Sequence, residues 1–330
     1  MDLSTKYLGL TLQNPLVASA SPLSRTLDGI RRLEDAGAGA VVLYSLFQEQ
    51  IAWETVTPEA ERAKARRSRA AAPIWATEPV GPEEYLDLIS LARQAVSIPV
   101  IGSLNGTAAG DWTRYARLIE GAGAQALELN LYFLPTDGAM SSADVEQQYL
   151  DVVREIRRNV TFPIAVKIGP YFSSLPNMAQ RLRKAGADGL VLFNRFYGPD
   201  FDIDEKSVSG ERSALSSPED LFLPLRWIAL LYGSLDCDLA LTSGVHDHEA
   251  VLKALMAGAD VAMMASTLLE HGVARLSSIL SDMVRWMQVN DYESLSDIRG
   301  MLCQQRSAAE SASLERAGYV RAIHSVLETA

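Results

Sequence analysis

Short apolar runs alternate along the chain with stretches whose apolar positions recur at helical spacing. Four segments repeat one pattern: EDAGAGAVVLYS at 34–45, EGAGAQALELNL at 120–131, RKAGADGLVLFN at 183–194 and LMAGADVAMMAS at 255–266. Each reads as the end of a helix, an Ala-Gly-Ala corner and an apolar strand. Gly37, Gly123, Gly186 and Gly258 stand where a helix ends in a left-handed residue. Near-continuous apolar strands suit a parallel sheet covered on both faces. NPLVASAS at 14–21, IPVIGSLN at 98–105, FPIAVKIG at 162–169 and CDLALTSG at 237–244 supply four more strands. The intervening stretches, such as LDGIRRLEDA, WTRYARLIEGA, MAQRLRKA and HEAVLKALMA, read as helices. Eight βα units in about 270 residues predict an α/β fold, a TIM (β/α)8 barrel. A doubly wound sheet is the alternative, but no GxGxxG follows the first strand.

Residues 48–82, 132–145 and 196–222 lengthen the connections after the second, fourth and sixth strands. All three fall at the C-terminal rim, where barrel loops build sites and lids. Trp53 and Trp75 in the first of them are candidates to close on a ligand, although core packing is the commoner fate of such rings. The first ten residues predict a small hairpin on the barrel floor. The expected division is a barrel over 1–275 and a C-terminal helical extension over 276–330, with 303–317 a mobile tail or an arm on a neighbour.

The 330 residues are 48% hydrophobic and 22% charged, with a net charge of −11. That is chain enough for a substantial core and too apolar for a disordered protein. No apolar run reaches the roughly 20 residues of a spanning helix, and MDLSTKYLGL does not read as a signal peptide. Cys237 and Cys303 have no metal or disulfide spacing, which points to a cytoplasmic protein. The acidic balance argues against nucleic acid and leaves a small molecule as the expected partner. The basic run RAKARRSR at 62–69 reads as a solvated helical face, or as a lure for an anionic ligand.

Against this apolar background, polar residues end every predicted strand. They are Ser19 and Ser21, Ser45, Ser103 and Asn105, Asn130, Lys167, Asn194, Ser243 with Gly244, and Ser266 with Thr267. One such residue reads as a cap, whereas eight sets around one rim predict a ligand-lined mouth. Lys167 is the sharpest of them, because a lysine inside a strand is costly unless it meets an anion or loses its charge. It suits stabilisation of an enolate or phosphate, a Schiff base, or negative charge on a reduced flavin, unless it snorkels out at the rim. The sequences TSGVHDHEAVLKAL and ASTLLEHG, at the ends of strands seven and eight, predict a phosphate cradle of backbone amides. Asp247 or His246 is the candidate cap there, and His246 with His248 is no metal site.

NPLVASAS, GAVVLYS, GAQALELNL, AVKIGP, GADGLVLFN and TSGVHDHEAVLKALMAGADVAMMAS fall in the order found in the dihydroorotate dehydrogenase family, which the chain resembles from about residue 3 to 275. The resemblance implies an FMN-binding barrel in which hydride passes from dihydroorotate to flavin N5, giving orotate in pyrimidine biosynthesis. No membrane-associating extension precedes the barrel, so the chain resembles the soluble class, whose members are often homodimers. Carried over by position, Lys167 is the lysine beside the flavin ring, and Ala20 with Ser21 lies against that ring. Ser45 and Asn105 are further cofactor contacts. Asn130 contacts flavin or substrate, and Asn194 faces the substrate. Ser243 with Gly244 and Ala265 with Ser266 hold the FMN phosphate.

The departures from the family pattern are equally specific. The family base after the fourth strand is Cys or Ser, whereas this chain reads Asn130-Leu131-Tyr132-Phe133-Leu134-Pro135-Thr136. Tyr132 is the candidate replacement base, although a phenol ordinarily ionises near pH 10. Tyr44 replaces the lysine of a Lys-Ser pair, Ala265 replaces a glycine and Thr136 an asparagine. No motif encodes the electron acceptor. The alternatives are an FMN-binding relative without dehydrogenase activity that acts through a partner, and a phosphate-binding lyase or aldolase that uses Lys167.

Overall fold

The computed structural model describes residues 1–57, 81–106, 111–195, 198, 200–209, 215–304, 316–321 and 323–324. The basic run at 62–69, Trp75 and residues 305–315 lie outside the described residues. The hairpin of β1 (Thr5–Tyr7) and β2 (Leu10–Leu12) leads into β3 (Leu16–Ala18) and α1 (Leu27–Asp35). Then come β4 (Ala40–Val42), β5 (Leu46–Phe47), α2 (Gln48–Val56), α3 (Pro82–Ala95), β6 (Val100–Gly106) and α4 (Asp111–Gly121). The middle of the chain forms β7 (Ala126–Leu131), α5 (Ser142–Arg157), β8 (Ile164–Ile168), α6 (Leu175–Ala185) and β9 (Gly189–Leu192). A rim hairpin of β10 (Asp200–Asp202) and β11 (Ser207–Ser209) precedes α7 (Phe222–Leu231) and β12 (Asp238–Thr242). The chain continues through α8 (His248–Ala257), β13 (Val261–Met264), α9 (Ser266–His271) and α10 (Arg275–Val289).

Eight parallel strands close into a ring in the order β3, β4, β6, β7, β8, β9, β12, β13, with β13 returning to β3. The pairing Val41↔Val100 joins β4 to β6 and completes the ring. The doubly wound alternative is thereby excluded.

The repeated corners have one physical basis. Gly37, Gly123, Gly186 and Gly258 all have positive φ, between +97° and +118°. In three of the four units the residue three places before that glycine reaches across to the loop feeding the next odd-numbered barrel strand. Glu34 accepts hydrogen bonds from the Ser97 amide and hydroxyl, each at 2.6 Å, and from the Ile98 amide. Glu120 treats Thr161 and Phe162 in the same way. Arg183 bonds the Asp236 carbonyl. The structural repeat is therefore a pair of βα units, and it carries its own tie to the next pair.

Inside the ring, strand alternation places Val17, Ala126, Ala165, Val191 and Ala240 in one cluster. The alanines leave room for Tyr7, Leu8 and Leu12 of the floor hairpin, which are buried in that cluster. Outside the ring, α10 buries Leu276, Ile279, Met283 and Met287. The chain then runs back over the barrel, and Gly300, Leu302 and Gln304 donate to the carbonyls of Leu255, Met256 and Ala229. Among the described residues no helix is long and apolar enough to cross a membrane.

Candidate active site

The C-terminal ends of the barrel strands open onto a cavity of about 380 Å³, within the usual range for small-molecule sites. Of the sequence-predicted residues, Ala20, Ser21, Lys167, Ser243, Gly244, Ala265 and Ser266 line it. They come from the ends of β3, β8, β12 and β13, and their meeting depends on ring closure.

Lys167 occupies β8 on the inward face, two residues after Ala165, while Val166 and Ile168 pack outward against the helices. Its side chain is 12% exposed, and its Nζ lies 3.6 Å from Oε1 of Glu128, which is 1% exposed. The register pairs Asn130 with Lys167 and Glu128 with Ala165, so the carboxylate sits one pleat deeper than the lysine. Above it, Asn130 Oδ1 is buried without a hydrogen-bond partner, and so is Ser19 Oγ, which lines the cavity. Orphaned polar atoms at the mouth of a barrel are what a polar ligand would complete.

The loops after β12 and β13 are close together. Ser243 and Gly244 are successive left-handed residues, with φ of 78° and 74°. The Gly244 amide donates to Ser216 Oγ at 3.3 Å. The Ser216 amide and hydroxyl donate to Ser266 Oγ at 2.8 and 2.9 Å. Ser216 therefore stitches together the loops after β12 and β13. Asp247 caps α8 by accepting from the Ala250 amide at 2.9 Å. His246 lies between Ser216, 3.5 Å from its Nε2, and Glu270, 3.8 Å from its Nδ1.

Other predicted residues are placed differently. Ser45 Oγ meets Ser103 Oγ at 2.8 Å, and the Ser103 amide donates to the Tyr85 hydroxyl at 2.8 Å. This network braces the second and third barrel strands against α3. Asn194 donates to the carbonyls of Leu131 and Lys167, at 3.2 and 3.3 Å, and so ties β7 and β8 to the end of β9. Asn105 pairs in register with Phe47 and Asn130. Tyr132 follows β7 and is half-buried, outside the lining of the cavity.

Three residues that sequence reasoning missed belong to the site. Glu128 had a signal, because it stands two places before Asn130 in ALELNL and therefore on the same inward face. Ser216 precedes a capping pair, Ser217 with Asp220, but nothing local pointed to Ser266. Arg195 lines the cavity and pairs with Asp220 at 2.8 Å.

A sequence model of the family described as Dihydroorotate dehydrogenase matches residues 2–287. The chain belongs to the dihydroorotate dehydrogenase family. It is an oxidoreductase of that family. A relative from Aeropyrum pernix, provisionally named dihydroorotate dehydrogenase A (fumarate), is 27% identical over 91% of this chain and 97% of its own. The catalytic subunits of dihydroorotate dehydrogenase B (NAD(+)) from Thermoplasma acidophilum and Pyrococcus abyssi are 24% and 25% identical, each over 91% of this chain and 98% of theirs. The Arg25 guanidinium lies 4.0 Å above the centre of the Tyr44 ring.

Proposed function

We propose that the chain is an FMN-dependent oxidoreductase acting on a small ring substrate of the dihydroorotate type. The observation that carries this reading is Lys167, a nearly buried amine that lines the same cavity as the loops after β12 and β13. The residues present fit the cofactor. Ala20 and Ser21 are small enough to lie against a flat ring. The consecutive left-handed residues Ser243 and Gly244, with Ala265 and Ser266, form a cradle for a phosphate. Ser19 Oγ and Asn130 Oδ1 lack partners that a bound ring system could provide.

Bound FMN supplies the hydride acceptor. The chain's residues supply charge, orientation and the proton route. Lys167 places a positive charge where negative charge develops at the ring. Asn130 and Asn194 orient the substrate, Asn194 also holding β7 and β8 in register. Tyr132 stands beside the position of the family base, which here falls on Phe133 or Leu134, and is the proposed replacement proton acceptor. The Schiff-base alternative is disfavoured, because the amine that would have to attack a carbonyl is paired with the Glu128 carboxylate 3.6 Å away. The absence of Cys or Ser after Asn130-Leu131 is the observation that keeps a second reading: a flavin-binding relative that does not oxidise dihydroorotate.

The test is the visible spectrum of the purified protein before and after dihydroorotate is added without oxygen. Bleaching of a yellow protein supports the first reading. A yellow protein that does not bleach favours the second, and a colourless protein that takes up no FMN overturns both.

A further inference from the structure

Burying a carboxylate with no hydrogen bond is expensive, and such a group in a folded protein calls for a reason. Glu128 is 1% exposed, and neither of its side-chain oxygens has a hydrogen-bond partner. The one ion pair it makes among the described residues is with Lys167. The other titratable groups that sense its charge are Tyr7 of the floor hairpin and Tyr85 of α3. Burial, with the Glu128 charge added, pushes both hydroxyls above the ordinary tyrosine range, so neither competes as a base. Arg195, the other cation lining the cavity, pairs with Asp220. Lys167 thus has a carboxylate below it and the cavity above it.

We propose that Glu128 is a positioning residue that keeps the Lys167 amine protonated and seated at the base of the mouth, so that a fixed cation meets the negative charge of the bound group. The proposal rests on the flavin reading of the site. A lysine so nearly buried would, without that partner, be free to swing outward to solvent. The cost of burying the carboxylate is then offset at the site, where the pair presents a charge that does not have to reorganise.

Glu128→Gln keeps the shape and removes the charge. Brief labelling of the purified chain with cyanate near neutral pH, read by peptide mass, reports the free amine at Lys167. It rises at least about tenfold in Glu128→Gln. In FMN-loaded protein, the two-electron potential moves negative by about 30 mV for each tenfold loss of preference for the reduced cofactor. That shift shrinks as the pH is lowered and the amine regains its proton. Glu128→Asp, a carboxylate drawn back by one methylene, falls between Gln and wild type in both readouts. In a Lys167→Arg background, where the side chain stays charged, Glu128→Gln does not move the potential negative. Labelling that is unchanged or slower overturns the proposal, as does a potential that stays or rises. A chain that takes up no FMN sinks the flavin reading and leaves the labelling to decide the role of Glu128.

Discussion

A methyl group on Gly244 would lie 2.2 Å from the backbone nitrogen of Leu221 and 2.6 Å from its Cα. The end of β12 therefore packs directly on the turn that enters α7, and only a glycine fits between them. Gly244→Ala is expected to lose about 3 kcal/mol of stability or more, because the clash is with backbone and φ is +74°. The neighbouring Ser243 is left-handed without being glycine, at φ 78°. Ser243→Gly is expected to be neutral or to gain up to about 1 kcal/mol by relieving that strain. Urea unfolding of the two variants measures both effects, and a stable Gly244→Ala chain would refute the packing argument.

Lys167→Met should behave differently in function and in stability. Turnover with the cognate substrate is expected to fall by about 10²–10³, the usual loss when a preorganised charge is removed. Stability is expected to fall by about 3–5 kcal/mol, because Glu128 is left as an unpaired buried charge. Replacing both partners, as Lys167→Met with Glu128→Met, should recover most of that stability and none of the turnover. Denaturant midpoints for the single and double variants separate the two effects.

Glu34 and Glu120 make equivalent ties at the corners after α1 and α4, each accepting three hydrogen bonds from the following loop. Alanine at either position is expected to cost about 1–3 kcal/mol. Arg183→Ala should cost less, because the Asp236 side chain that it pairs with is fully exposed. Thermal melts of the three variants test whether the repeat is a repeat of energy as well as of sequence.

Asp260 gives the fold a pH limb of definite sign. It is 2% exposed, and burial pushes its carboxyl up to about 7, against the opposing pull of Arg299 and the Leu239 amide. Between about pH 4 and pH 7 the native chain holds a proton that the unfolded chain has released. Stability from this group is full below the lower limit and is lost as pH rises through the upper one. Asp260→Asn should flatten that fall, which melting temperatures at about pH 5 and about pH 8 would show. Glu34 and Glu120 oppose it at the acid end. Burial raises their carboxyls, but the loop hydrogen bonds outweigh it and lower them, so their contribution is lost as pH falls through that lowered range.

Cys237 is half-buried, and burial pushes its thiol up to about 12. Alkylation by iodoacetamide at mildly alkaline pH is expected to be slowed by roughly two to three orders of magnitude relative to an ordinary thiol, since the thiolate is the reacting form. Peptide mass mapping over time measures this, and rapid labelling would show that the Cys237 environment is open.

The chain's own pattern determined the barrel. The Ala-Gly-Ala corners, the apolar strands and the polar residue after each strand are local features, and each is readable from a few neighbouring residues. What local pattern could not decide was the destination of each polar side chain. Ser45 and Asn194 read as ligand contacts in the sequence, and the folded chain adds that Ser45 bonds Ser103 and Asn194 bonds two strand carbonyls. Ser216 and Ser266 are fifty residues apart and meet only because β12 and β13 are neighbours in a closed ring. Glu128 becomes the partner of Lys167 through the register of β7 against β8, which sets one pleat against the next. Periodicity along a strand tells which face a residue takes, whereas the depth at which two strands align is fixed by packing across the whole barrel, and only the folded molecule holds that information.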